Sequence, residues 1–241
     1  LASFIFFMGV GVLYAKVKKP VYAVRANVLI AQEESNPLNA MGGDMGMLGS
    51  IFGAKGSVDD EFYVLSSHSI YRKAVKALDL NRRHYVRKGF LNTVHEFEDY
   101  PVEVDAPAAM FDTLTTSVIF KIKADSKRQA KVTIIADDEK IVNKQEVKLP
   151  HVFDTPYGSF TVRPTESYPA DEDVKTNIVL MGYHKAAEDM AKDIGMSIAS
   201  KRANVISMGI NTPYPGNGED ILNEVVSQYN ARGIEEKNLQ A

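Results

Sequence analysis

From Tyr22 to Ala31 apolar residues recur at every second position, with Tyr22, Val24, Ala26, Val28 and Ile30 pointing one way. That is the pattern of a half-buried strand. Between Val58 and Leu80 the period becomes helical. Val58, Phe62 and Leu65 form one stripe, and Ile70, Ala74, Ala77 and Leu78 a second, shifted in phase at Ser66-Ser67-His68-Ser69. Ser67 is a suitable N-cap, so two short helices are expected to meet there. Ser57-Val58-Asp59-Asp60 fits a capping box with Asp in place of Glu. Over residues 97–182 alternation returns, in Val118/Phe120/Ile122, Val132/Ile134, Phe160/Val162 and Ile178/Leu180. Asp137-Asp138, Pro150, Pro156-Tyr157-Gly158 and Pro169 punctuate these runs, as in a small antiparallel β unit. Ala186 or Ala187, Met190 and Ile194 mark a helix ending at Gly195. Val205, Ile206, Met208 and Ile210 predict another strand. Ile221, Leu222, Val225, Val226 and Tyr229 predict a last helix, opening near Asn217.

The order of these elements predicts an α+β fold. Residues 20–96 and 183–241 would form a mixed α/β base domain, with residues 97–182 inserted as an antiparallel β unit. The strands Tyr22–Ala31 and Val205–Ile210 would share the base sheet.

Residues 1–15 carry no charge and are followed by Lys16, Lys18, Lys19 and Pro20. The chain opens on Leu1 rather than Met, so residues 1–19 are expected to be the C-terminal part of a transmembrane helix and its juxtamembrane segment. A signal peptide fits less well, because no small-x-small cleavage site follows. Residues 36–57 interleave six glycines with Met41, Met45, Met47, Leu48, Ile51 and Phe52. A loop this apolar needs covering, so residues 41–53 and the last helix are expected near subunit contacts. Lys55 does not complete a phosphate loop, since Gly56 stands where Ser or Thr is required after Gly-Lys.

Net charge is −3 and Cys is absent. The first gives no field that calls for nucleic acid, and the second removes disulfides and thiolate chemistry. His68, His84, His95, His151 and His184 show no i, i+4 pair, and the acidic clusters do not match a calcium loop. No catalytic, cofactor or metal site is therefore expected. One charge feature remains. Arg72, Lys73, Lys76, Arg82, Arg83, Arg87 and Lys88 lie within 17 residues, opposed only by Asp79. They are either a solvated helix end or a contact for anionic lipid, lipid-linked glycan or a neighbouring subunit.

Three stretches resemble the polysaccharide co-polymerases, or chain-length determinants (Wzz), and especially their Wzc-like members. They are the strand Tyr22–Ile30, the run Glu61–Leu80 with its Leu65-Ser66-Ser67 break, and Ile206-Ser207-Met208-Gly209-Ile210 followed by Pro215, Ile221-Leu222-Asn223 and Tyr229. Gly218 departs from the family's usual alanine. The resemblance spans roughly residues 20–235, and the size of the β insert is what points to the Wzc-like members. It implies a non-catalytic scaffold in the bacterial inner membrane with this region in the periplasm. A homo-oligomeric ring would set the length of a capsular, exopolysaccharide or O-antigen chain. Its partners would be the polymerase, lipid-linked glycan and an outer-membrane export protein. The positive-inside rule applied to Lys16, Lys18, Lys19 and Arg25 would put this side in the cytoplasm, so the orientation rests on the family. The alternative is a ligand-sensing ectodomain that signals to a cytoplasmic tyrosine autokinase lying outside this sequence.

Overall fold

The structure, a computed structural model, describes residues 3, 7, 8, 11, 20–30, 58–88, 92–96, 99–136 and 140–239. The chain divides into two compact units, one built on Val75–Asp189 and the other on Tyr22–Ala74 with Met190–Ala241.

In the second unit β1 (Tyr22–Leu29) pairs antiparallel with β12 (Val205–Thr212), and β11 (Ile194–Ser200) pairs with the other side of β12. Strands from both ends of the chain thus share one sheet, in the order β1-β12-β11. Val24, Ala26 and Val28 lie across from Ile210, Met208 and Ile206, and these three β12 side chains are buried. Against this sheet pack α1 (Val58–Leu65) and α5 (Pro215–Leu239). Pro215 opens α5, where its fixed φ and missing N–H cost nothing. A Cβ on Gly218 would come within 2.8 Å of Thr212 Cγ2 and 2.9 Å of Val24 Cγ2, so α5 lies close against the strands here. The phase shift predicted at Ser66-Ser67 is present, with α2 (His68–Ala77) starting where Ser67 C=O accepts the Ile70 and Tyr71 amides. Tyr229 donates to Glu61 Oε2 at 2.7 Å, and Lys201 donates to Asp59 at 2.9 Å.

In the other unit a six-stranded antiparallel sheet has the order β3-β2-β10-β5-β6-β7. It comprises β2 (Arg82–Lys88), β3 (Asn92–Glu96), β5 (Val118–Ala124), β6 (Gln129–Ala136), β7 (Lys140–Lys148) and β10 (Val174–Leu180). A three-stranded sheet, β4-β9-β8, faces it, from β4 (Val102–Asp105), β8 (His151–Thr155) and β9 (Gly158–Pro164). Phe120 of β5 and Phe160 of β9 meet edge to face, ring centroids 5.1 Å apart. Phe111, from the short helix α3 (Ala108–Thr113), packs on Tyr183 at the start of α4 (Tyr183–Asp193).

Sequence and structure differ in several places. The β unit begins well before residue 97, because β2 and β3 belong to the six-stranded sheet and not to the base. The basic side chains of Arg82–Lys88 mask their period-two pattern. Gly195 does not end α4, since β11 begins one residue earlier, at Ile194. The last helix starts at Pro215 rather than Asn217 and runs to Leu239. Most of residues 1–19, Ser57 of the capping box and the Met/Gly loop 41–53 lie outside the described residues. Among the described residues no helix is long and apolar enough to cross a membrane.

Two glycines separate packing from propensity. A Cβ on Gly182 would sit 1.8 Å from the Leu114 carbonyl oxygen, whereas one on Gly233, exposed in α5, meets nothing within 4 Å. Gly182→Ala is expected to lower stability by about 3 kcal/mol, through forced backbone movement. Gly233→Ala is expected to raise it by about 0.5–1 kcal/mol. Urea unfolding of the two variants checks both signs.

Candidate functional site

The seven basic residues singled out from the sequence fall on two elements of different geometry. Arg72, Lys73 and Lys76 lie on α2, and Arg82, Arg83, Arg87 and Lys88 on β2. Period-two alternation sends Arg82 and Arg83 to opposite faces of the sheet. Lys73, Lys76, Arg82 and Arg83 meet carboxylates. Lys73 Nζ lies 3.6 Å from Glu235, and Arg83 Nη2 3.9 Å from Asp189. Lys76 Nζ is 2.8 Å from Asp112 and 4.7 Å from the centre of the Tyr183 ring. The side chains of Arg87 and Lys88 lie outside the described residues. The cluster dense in sequence is therefore largely absorbed by local ion pairs.

Arg82 meets two carboxylates at once. Its Nη1 reaches Glu103 Oε1 at 3.5 Å and Asp105 Oδ1 at 3.4 Å, both on β4. Arg163 of β9 closes the ring of charges, with Nη2 2.7 Å from Glu103 Oε2 and Nε 2.5 Å from Asp105 Oδ2. Val102 and Val104 fill the core on the opposite face of β4, so alternation places Glu103 and Asp105 side by side. Next to this quartet His84 stacks on Tyr100 at 3.7 Å with the rings nearly parallel. Burial, then the charge of Asp105, raises the Glu103 carboxyl above its ordinary value despite the two guanidiniums. Burial, then Glu103, raises the Tyr100 phenol. The arrangement couples the two sheets of this unit electrostatically. It presents no nucleophile activated by a base, and among the described residues no group of three His, Asp or Glu could hold a metal ion.

A second concentration of charge escaped the sequence reading. The inward residues of β5, β6 and β10 are buried and, apart from Thr176, apolar, while the outward ones include Lys121, Lys123, Lys131 and Lys175. Register sets Lys123 directly opposite Lys175 on one side and Lys131 on the other. Lys144 of β7 faces Thr133, one step further along the sheet. Lys131 bonds Glu146 at 2.9 Å, and that bond holds the Glu146 carboxyl below its ordinary value. Among the described residues, Lys121, Lys123, Lys144 and Lys175 make no ion pair. A cleft of about 330 Å³ opens over the trio, lined also by Asp125, Gln129, Glu146 and Asp173. The signal was a lysine at alternate positions of each strand, but which lysines become neighbours depends on register. In the other unit a groove of about 490 Å³ lies along β1 and the start of α5, lined by Tyr22–Ala26, Pro215, Glu219, Leu222 and Asn223.

No protein-family model matches the chain, and a search of curated proteins finds no match.

The quartet makes a pH prediction. Because the folded state raises the Glu103 pKa, it holds that proton more tightly than the unfolded chain does. Stability from this group is present at low pH and is lost as pH rises from the ordinary carboxyl value through the raised one. Wild type is therefore expected to lose stability relative to Glu103→Gln as pH rises above the ordinary carboxyl range of about 4. Urea unfolding of both proteins at several pH values checks this, and the opposite trend counts against the assigned environment.

Proposed function

We propose that this chain is the extracytoplasmic region of a membrane-anchored bacterial scaffold that governs the length, polymerisation and export of a surface polysaccharide. The region works without catalysis, as part of a homo-oligomeric ring anchored in the inner membrane. Its partners are the polymerase, its lipid-linked glycan and an outer-membrane export protein.

The observation that supports this reading is the pairing of β1 with β12 immediately before the Pro215 helix. The stretches that carry the resemblance to chain-length determinants lie far apart in sequence. In the fold Tyr22–Ile30, Glu61–Ala74 and Ile206–Tyr229 fall in one unit, with α1 and α5 packed on a shared sheet. The long β-rich segment between them agrees with the Wzc-like pattern.

The test is made on the full-length protein in its own host. Deleting its gene is expected to replace a modal distribution of polysaccharide lengths with a broad one on gels, and the wild-type copy should restore the mode. A deletion strain with unchanged glycan length would overturn the reading and favour a sensing ectodomain. Mass measurement in nanodiscs is expected to give a ring of several copies, and a strict monomer would refute the ring.

A further inference from the structure

We infer that the three-stranded sheet of the base unit is continued by a second copy of this chain, whose β11 lies along the free edge of β1. Among the described residues β1 and β11 are the two edges of that sheet. An edge strand presents a row of backbone N–H and C=O groups with no strand beside it, and folds blunt such edges with lysines, prolines or bulges. The edge strand β7 of the six-stranded sheet is guarded in this way, by Lys140, Lys144 and Lys148. The base sheet is not. β11 contains no charged residue and no proline, and its bulge lies only at its end, between Ile198 and Ser200. β1 carries one charge, Arg25, and exposes Tyr22 and Leu29.

The groove of about 490 Å³ in this unit marks where a strand can be added. Five successive residues, Tyr22 to Ala26, line it. Successive strand residues point to opposite faces, so a groove that meets five in a row runs along the edge of β1. Its other wall is the start of α5, with Glu219 and Leu222. An extended chain laid there gains main-chain hydrogen bonds from β1 and sends alternate side chains toward α5. β11 meets both demands. It has seven residues against the eight of β1. Through β12, register puts Ile194, Met196 and Ile198 on the same sheet face as Val24, Ala26 and Val28. Met196 and Ile198 are only half-buried in their own copy, and beside β1 they would be covered on the side of Leu222. Gly195 and Ser197 fall on the other face, where they are small and leave Arg25 in water. β1 and β11 both run antiparallel to β12, so a copy that repeats the sheet with the same face turned the same way sets its β11 parallel to β1. The contact is head-to-tail, and such contacts generate a ring when the rotation between copies closes.

The inference rests on the proposed function for the ring and names the surfaces that build it. The chain has no cysteine, so introduced pairs report alone. Asn27 and Ser197 both lie opposite Ser207, on either side of β12. Within one chain their Cα atoms are about 10 Å apart, at two strand spacings. A disulfide needs Cα atoms within about 7 Å, so that pair can close only between copies. The test oxidises the full-length protein in its own membranes, in four double variants that combine Arg25→Cys or Asn27→Cys with Gly195→Cys or Ser197→Cys. At least one is expected to give a ladder of dimers, trimers and larger species, and the single variants are not. Ser197→Lys with Ala199→Lys, both exposed, is expected to break the ring into smaller species in nanodiscs and to leave the melting temperature of the purified chain unchanged. Absence of a ladder from all four pairs, cross-links to a different membrane protein, or a ring that survives both lysines would overturn the inference. A ring in nanodiscs without ladders would overturn this inference alone. Ladders with unaltered glycan length in the deletion strain would overturn the proposed function and leave the contact.

Discussion

The base unit depends on one long-range constraint, the antiparallel pairing of β1 with β12. Eight residues near the start of the chain match eight near its end in unbroken register. Closing so long a loop costs entropy, which must be recovered by the face that the closed sheet buries. Ile206, Met208 and Ile210 supply that face, and Leu65, Leu222 and Val225 belong to the same buried core. Without β1, β12 would become an edge strand with a row of unpaired backbone groups. The segment from Val75 to Asp189, which forms the other unit, can vary in length as long as this pairing survives. A domain that accepts a large insertion needs that property.

The two charge clusters of the β-rich unit show opposite uses of ionic groups. In the quartet, Arg82 and Glu103 are largely sheltered, at 20% and 18% side-chain exposure, and opposite charges share their desolvation cost. Such a network is expensive to break and contributes more to geometry than to net stability. The lysine face keeps its charges in water and sets like beside like. Of these lysines Lys131 alone gains a cross-strand carboxylate, Glu146, among the described residues. Of the stretch of highest basic density in the sequence, Arg82 belongs to the first kind, while Lys73 and Lys76 make exposed ion pairs.

Local pattern was enough for β1, β5, β6, β9, β10 and β12, because apolar residues alternate in each, over a buried face in the last five and a half-buried one in β1. It was enough for the break between α1 and α2, because Ser66-Ser67 shifts the apolar phase. It failed for β2, whose inward residues are Arg82, His84 and Val86. There a buried ion pair and a ring stack replace apolar side chains, so alternation carries no hydrophobic contrast. It failed for β11, whose Ser and Gly positions lie on the side of the sheet away from the apolar residues that α1 and α5 cover.

The candidate sites divide the same way. The sequence alone determined the α+β class, the two terminal strands that flank a β-rich middle, and the presence of many lysines at alternate positions. Those are short-range properties, set by the side-chain period of each element. Only the tertiary structure decided that Arg82 meets Glu103 and Asp105, and that Lys123 stands between Lys175 and Lys131. Both outcomes follow from strand order and register, which are fixed by contacts between residues far apart in the chain. A one-residue slip would send every one of these charges to the other face.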